Sequence, residues 1–411
     1  MSAGRPVKSL DPALDIVRLL AALLVAVGHL RALAIPDMDP SWGFFAKLAY
    51  ATTTLGHAAV MVFFVLSGYL VGGKVIDDTI QGTFSWTVYL ISRYVRLAIV
   101  LVPAVVMTVI LDQAGMWIFE TGNYSDGGVV DNRTSLVALL GNLAFLQGNL
   151  VEPLGSNGPL WSVAFEMSYY LMFPTAVRLL VARKWSSRSA LTCFLALLIW
   201  VSGPNAIALF PVWLLGASVH LNGERLKSWG AGLSRRMLML WWSTSIVGLA
   251  GFAVLDKLQG GNPSLATPGG YATGLVASIV IALLVARSER GESWRSRPSR
   301  IAVWCAQRTY TIYAVHLPIG MFLAGLIGAA GMERENLIVA SEWLLLVALA
   351  GFTLPISIGV ASITEMKHQY ARRYILDRLE RSRFRHGLNA EGRVLEHEER
   401  CGVGTSRFGR R

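Results

Sequence analysis

The sequence predicts an all-α membrane protein, a polytopic helical bundle of about ten transmembrane helices plus a re-entrant or surface helix. Three observations predict it. Apolar types make up 54% of the 411 residues and charged types 15%, against roughly 25% charged in an average soluble domain. The mean hydropathy is +0.49. The 37 basic and 26 acidic residues leave a net charge of +11, and the basic ones fall mostly in short segments between apolar runs, as membrane topology requires. A disordered chain, a disulfide scaffold and an ordinary soluble enzyme are excluded. A basic soluble protein would invite a nucleic-acid reading; here topology accounts for the charge and no nucleic acid is expected. Cys193, Cys305 and Cys401 are too scattered for a metal site or a disulfide framework, so no metal is expected.

A membrane helix needs about 20 mostly apolar residues. Such runs lie near 14–33, 56–73, 91–111, 160–181, 189–203, 206–221, 238–255, 269–286, 305–330 and 339–364. A further apolar stretch, 136–150, is shorter and follows a polar loop, and charge decides whether it crosses. If it does not, Arg5, Lys8, Lys74, Arg93, Arg96, Arg183, Lys184, Arg188, Arg225, Lys227, Arg235 and Arg236 all lie on the cytoplasmic side, with the basic cluster between 287 and 300. The opposite side then keeps only Lys47, Arg133, Lys257 and Arg334. Ten spans with both termini cytoplasmic satisfy the positive-inside rule throughout. The stretch 136–150 therefore reads as a re-entrant or surface helix in a long outer segment, 112–158. The resulting plan is a cytoplasmic segment 1–12, a transmembrane domain 13–365 and a basic cytoplasmic tail 366–411 facing lipid headgroups, in the cell (inner) membrane. Residues 367–380 could continue the last helix along the membrane surface. Ala32-Leu33-Ala34 resembles a signal-peptidase site, but Asp11, Asp15 and Arg18 crowd the start of the apolar run, and the first span is expected to stay uncleaved.

Ionisable residues inside spans cost about 2.5–3.5 kcal/mol each even on insertion scales, so they mark function. Arg18 and His29 in the first span are eleven residues apart, about three turns plus 20°, which puts both on one face about 16 Å apart along the axis. Asp15, one turn from Arg18, can pair with it. Snorkelling would also explain Arg18, and a neighbouring carbonyl would satisfy His29. The second span carries Ser67-Gly68, which permits close helix packing, and His57 at its outer end. Arg93 and Arg96 open the third span one turn apart; two guanidinium groups so placed suit a phosphate-rich ligand, though positive-inside decoration gives the same spacing. Glu166 lies within the segment beginning Leu160-Trp161-Ser162, and an isolated carboxyl there would be protonated or paired. His29 and Glu166 are both read at outer-half depth; if they meet, they form a proton-handling pair. Tyr313 and His316 are one turn apart ahead of Pro318, which frees a carbonyl one turn earlier; a structural role is the simpler reading of His316.

These motifs in order resemble the acyltransferase-3 family of integral membrane acyltransferases over roughly residues 10–365. The carriers are Arg18 followed after ten intervening residues by His29, the run Phe63 to Leu70 around Ser67-Gly68, Arg93-x-x-Arg96, Leu160-Trp161-Ser162 with Glu166 and Tyr170, and Tyr310-x-x-Tyr313-x-x-His316-x-Pro318. Departures are Met167 where the family often has a second acid, and Ala59 and Met61 where it often has Gly and Asp. The resemblance is to stand-alone members acting on exopolysaccharide, O-antigen, lipo-oligosaccharide signals or macrolides, with no SGNH-type domain expected after residue 365. It implies acyl-CoA, most commonly acetyl-CoA, as a cytoplasmic donor, and a saccharide or lipid-linked hydroxyl as acceptor. Arg93, Arg96 and Arg18 would hold the CoA phosphates, His29 would be the general base, and Glu166 would orient it or share its proton. A covalent acetyl-histidine route stays open. The competing class is a proton-coupled transporter of a glycan, lipid or organic acid, with His29 and Glu166 as the relay. The arginine pair and the absence of repeat halves speak against it.

Overall fold

The computed structural model describes residues 12–35, 41–119, 130–234, 267–288, 300–329 and 339–379, with scattered residues between them. The N-terminal segment 1–11, most of the tail and part of the expected span 238–255 lie outside the described residues. No β-strand occurs among the described residues.

The helices follow the apolar runs. In chain order they are α1 (Pro12–Ala34), α2 (Phe44–Thr53), α3 (Gly56–Ser67), α4 (Gly73–Ile80), α5 (Trp86–Ile118), α6 (Leu136–Leu143), α7 (Trp161–Val181), α8 (Trp185–Leu221), α9 (Gly223–Gly232), α10 (Pro268–Ser288), α11 (Arg300–Ala306), α12 (Thr309–Ala329) and α13 (Val339–Ile363). A single π-helical turn, Gly68–Gly72, joins α3 to α4. Such turns insert one extra residue and recur at functional sites.

Seven described helices are long and apolar enough to cross a membrane, fewer than the ten expected from sequence. The expected spans 189–203 and 206–221 form one run, α8, whose 37 residues are divided by the non-helical backbone of Gly203 (φ 78°, ψ 173°). A straight helix of that length would measure about 55 Å, against a hydrocarbon core of about 30 Å. The 21 residues of α7 are long enough, but Glu166, Arg178 and several tyrosines and serines dilute their apolar character. The eight-residue α6 spans only about 12 Å, so the stretch 136–150 does not cross as a helix, in keeping with its reading as a surface or re-entrant element.

The bundle exposes apolar side chains on its outer face, and its largely apolar interior encloses a set of buried polar groups. On α5, Val102, Val106 and Ile110 are exposed at helical spacing, the pattern of a lipid-facing stripe. The centre instead holds Thr108, Asp112, Asn157, Ser162 and His316, all buried. α1 packs against α3, α12 and α13, and α5 packs against α12. α7 lies against α8. Helices from distant parts of the sequence therefore converge on one interior.

After α13 a 3-10 turn, Glu365–Lys367, leads into a helix over residues 368–379. It is tied back to the start of α5 by Arg372, whose Nε donates to Ser92 Oγ at 2.6 Å. This is the helical continuation expected at 367–380.

Candidate functional site

Two helices bring three cationic side chains to one cavity. Arg18 of α1 and Arg93 and Arg96 of α5 line it, together with Ser67, Glu166, Tyr170, Tyr310 and Tyr313. The space between atoms is ≈ 800 Å³, part of it open to the surroundings. Arg18 Nη1 donates to Asp15 Oδ1 at 3.3 Å, the i,i+3 pair foreseen from spacing. The guanidinium carbon of Arg93 lies 5.9 Å from the centre of the Tyr170 ring. Its Nε is buried with no hydrogen-bond partner. A buried guanidinium N–H without a partner is an unsatisfied donor, and a native structure keeps few of them.

Glu166 is held by a chain of donors. Ser67 Oγ donates to Glu166 Oε1 at 3.0 Å, and Tyr170 OH donates to the same oxygen. Ser67 Oγ in turn accepts from Trp213 Nε1 at 3.1 Å. This chain explains the Ser67-Gly68 motif. A Cβ on Gly68 would stand 1.9 Å from the carbonyl oxygen of Trp213, and one on Gly216 would stand 1.9 Å from that of Val65. Only glycine at both positions lets the end of α3 lie directly on α8, which sets the Ser67 hydroxyl beneath the indole. Trp213 is fully buried and was missed by the sequence reading, because a tryptophan in an apolar run gives no local sign of its partner. Glu365 was missed as well. Its Oε2 accepts from Thr311 N at 2.9 Å and Thr311 Oγ1 at 3.0 Å, capping the first turn of α12.

The cavity ends at Tyr313. The Tyr313 and Ser162 hydroxyls are 2.6 Å apart, Tyr313 OH donates to Pro159 O at 3.1 Å, and the ring packs edge-on against Phe63 at 5.7 Å. Trp161 is half-buried and packs edge-on against Phe64 and Phe165 rather than lining the cavity. Past Tyr313 lies His316, with ring centroids 6.1 Å apart.

His29 meets His316. Its Nδ1 is 2.9 Å from His316 Nε2, and the two rings are 18° from parallel at 5.1 Å. The sequence reading allowed a His29–Glu166 pair, and the structure gives each a different partner. Glu166 faces the arginines across the cavity, while His29 is not among the cavity's lining residues. The reason is geometric: Glu166 sits two turns into α7 on the face turned to α3, and α1 presents His29 to α12. His316, read as structural from sequence, is in direct contact with the imidazole singled out by motif.

Pro318 acts as expected from sequence. It has no N–H to give to Ala314, and Asn157 Nδ2 supplies the missing donor to Ala314 O at 2.9 Å. The same nitrogen donates to Thr108 Oγ1 at 3.0 Å. The loop before α7 is thereby fastened to α5 and α12 together.

Comparison with known proteins decides the family. The model of an acyltransferase domain matches residues 11–362, nearly the whole chain. The chain belongs to the acyltransferase-3 family. It is similar to acyltransferase MdmB of Streptomyces mycarofaciens, with 31% identity over 188 residues, 42% of this chain and 42% of that protein. O-acetyltransferase OatA of Staphylococcus aureus is 24% identical over 342 residues, 76% of this chain and 51% of that protein. An O-acetyl transferase of Shigella phage Sf6 is 28% identical over 163 residues, 40% of this chain and 45% of that protein. These matches span about half or less of each relative's length. No solved structure matches. Family membership together with the seven membrane-capable helices makes this a multi-pass membrane acyltransferase-family protein.

Proposed function

We propose that this acyltransferase-3 protein is an O-acyltransferase that moves an acyl group, acetyl in the simplest case, from cytoplasmic acyl-CoA to a hydroxyl of a saccharide or lipid-linked glycan. The observation that carries the reading is the cavity with three arginines and an unpartnered buried Nε on Arg93. Phosphates of a CoA fit that donor set, because a guanidinium grips phosphate oxygens in a planar, two-pronged way. Arg93, Arg96 and Arg18 would hold the phosphates at the cytoplasmic end, and the acyl arm would run past Ser67 and Glu166 toward Tyr313. Relatives named as O-acetyltransferases support acetyl as the group and oxygen as the acceptor atom.

In this reading His29 takes the proton from the acceptor hydroxyl as its oxygen attacks the thioester carbonyl. The C–S bond breaks, the proton passes to sulfur, and CoA leaves as the thiol. General-base help of this kind contributes about 10²–10⁴-fold. Glu166 is assigned to the donor side, where its carboxylate faces the arginines. The protein would reside in the inner membrane with both termini cytoplasmic.

The test is mass spectrometry of surface glycans from cells expressing the wild type or His29→Ala at equal membrane abundance. The expected result is an acetyl mass increment present with the wild type and absent with the variant. Equal acetylation by the two proteins rejects His29 as the base, and no glycan change with either rejects the saccharide acceptor.

A further inference from the structure

We propose that His316 is the positioning partner of His29, fixing which ring nitrogen of His29 carries the lone pair that meets the acceptor. The argument rests on the reading of His29 as the base and adds to it a residue whose role the motifs left as structural.

The tautomers follow from the hydrogen bonds. His316 Nδ1 lies 2.8 Å from Tyr313 O and 3.1 Å from Ile312 O. Carbonyl oxygens only accept, so His316 Nδ1 carries a hydrogen. In a neutral imidazole the other nitrogen is then an acceptor. That nitrogen, Nε2, is 2.9 Å from His29 Nδ1, so His29 Nδ1 donates. His29 Nε2 is left with its lone pair. His316 is wholly buried whereas His29 is half-buried, so of the pair His29 is the residue with exposed surface.

The arrangement does the work that a carboxylate does behind a catalytic histidine in a soluble hydrolase. When His29 Nε2 takes a proton, Nδ1 still donates to His316, and the bond becomes charge-assisted. A neutral imidazole in the supporting role avoids placing a second charge in the span. The backbone around it is built to hold still. Pro318 frees the Ala314 carbonyl, Asn157 takes it up, and the two carbonyls that orient His316 lie in the turn just before. The Tyr313 side chain that ends the cavity and the Tyr313 carbonyl that orients His316 belong to one residue, so both ends of this device are set by the same turn of α12.

The test uses purified, full-length protein in proteoliposomes with acetyl-CoA and an acceptor that the wild type turns over. His316→Leu and the volume-matched His316→Met both lose the acceptor for His29 Nδ1–H. His316→Gln keeps an amide oxygen able to take that bond. The apolar variants are expected to lower kcat by about 10–10²-fold, the scale of a misplaced catalytic group, with KM for acetyl-CoA within about twofold. His316→Gln is expected to recover at least about tenfold of that kcat. Wild-type kcat in either apolar variant overturns the proposal, as does a Gln variant no better than a well-folded apolar one. His29→Ala runs alongside: if it is fully active, the base assignment itself fails. If it is inactive while His316→Met is unimpaired, only the positioning role fails.

Discussion

Arg93 brings a guanidinium into the cavity with its Nε unbonded, a donor that a phosphate would satisfy. Hydrogen bonds to charged groups contribute about 1.5–3 kcal/mol, and each 1.4 kcal/mol is tenfold in affinity. Arg93→Ala is therefore expected to raise KM for acetyl-CoA by about tenfold or more with a smaller effect on kcat, read from initial rates at varied donor. An unchanged KM would remove Arg93 from the donor site. At this scale the sequence was informative about residue types and silent about partners. Arg18, Arg93, Arg96 and Glu166 stood out because charge inside a span is costly, and the structure gathers all four around one cavity. Depth along a helix is readable from a sequence, but the neighbour across the bundle is not. That is why His29 and Glu166, read at similar depth, face different helices, and why Trp213 and Glu365 went unseen.

Between α3 and α8 the contact is backbone on backbone. Gly68→Ala would put a Cβ 1.9 Å from Trp213 O, a clash with main chain that no rotamer relieves. Overpacking of this kind costs about 1–3 kcal/mol or more, so a lowered melting temperature in detergent is expected. Weakened donor binding should accompany it, since Ser67 and through it Glu166 would shift. A variant with wild-type melting and KM would show that the glycine is not needed for this packing. The sequence pattern Ser-Gly signalled close packing but could not say against what. The long helices were legible from apolar run length, whereas the ten-residue α2 and α9 lie outside every expected span and were not. Boundaries were less so: two expected spans share the single run α8, divided at Gly203, and α7 is more polar than a typical span yet contributes Glu166 and Tyr170. The π turn after Ser67 has no sequence signature beyond its glycines.

The molecule as a whole turns apolar side chains outward as well as inward, with buried polar groups set within an apolar core, and the high apolar content of the sequence pointed to that exposed apolar surface. Orientation came from charge, and it carries its own prediction. In a background lacking Cys193, Cys305 and Cys401, Arg133→Cys should react with an impermeant thiol reagent added outside the cell, and Lys74→Cys only after the membrane is opened. The reverse pattern would invert the topology and put the arginine-lined cavity on the wrong side for cytoplasmic CoA. The family assignment covers residues 11–362, so the same framework holds both the arginine-lined cavity and the histidine pair. The account stands or falls on their acting together. The most direct measurement is transfer of radiolabelled acetyl from acetyl-CoA to a hydroxyl acceptor by the purified protein, comparing wild type with His29→Ala and Arg93→Ala. Labelled ester formed by the wild type, abolished by the first variant and restored by excess donor in the second, is the predicted result. Equal ester formation by all three proteins, or none by an intact wild type supplied with acyl-CoA and the acceptor it modifies in cells, would contradict it.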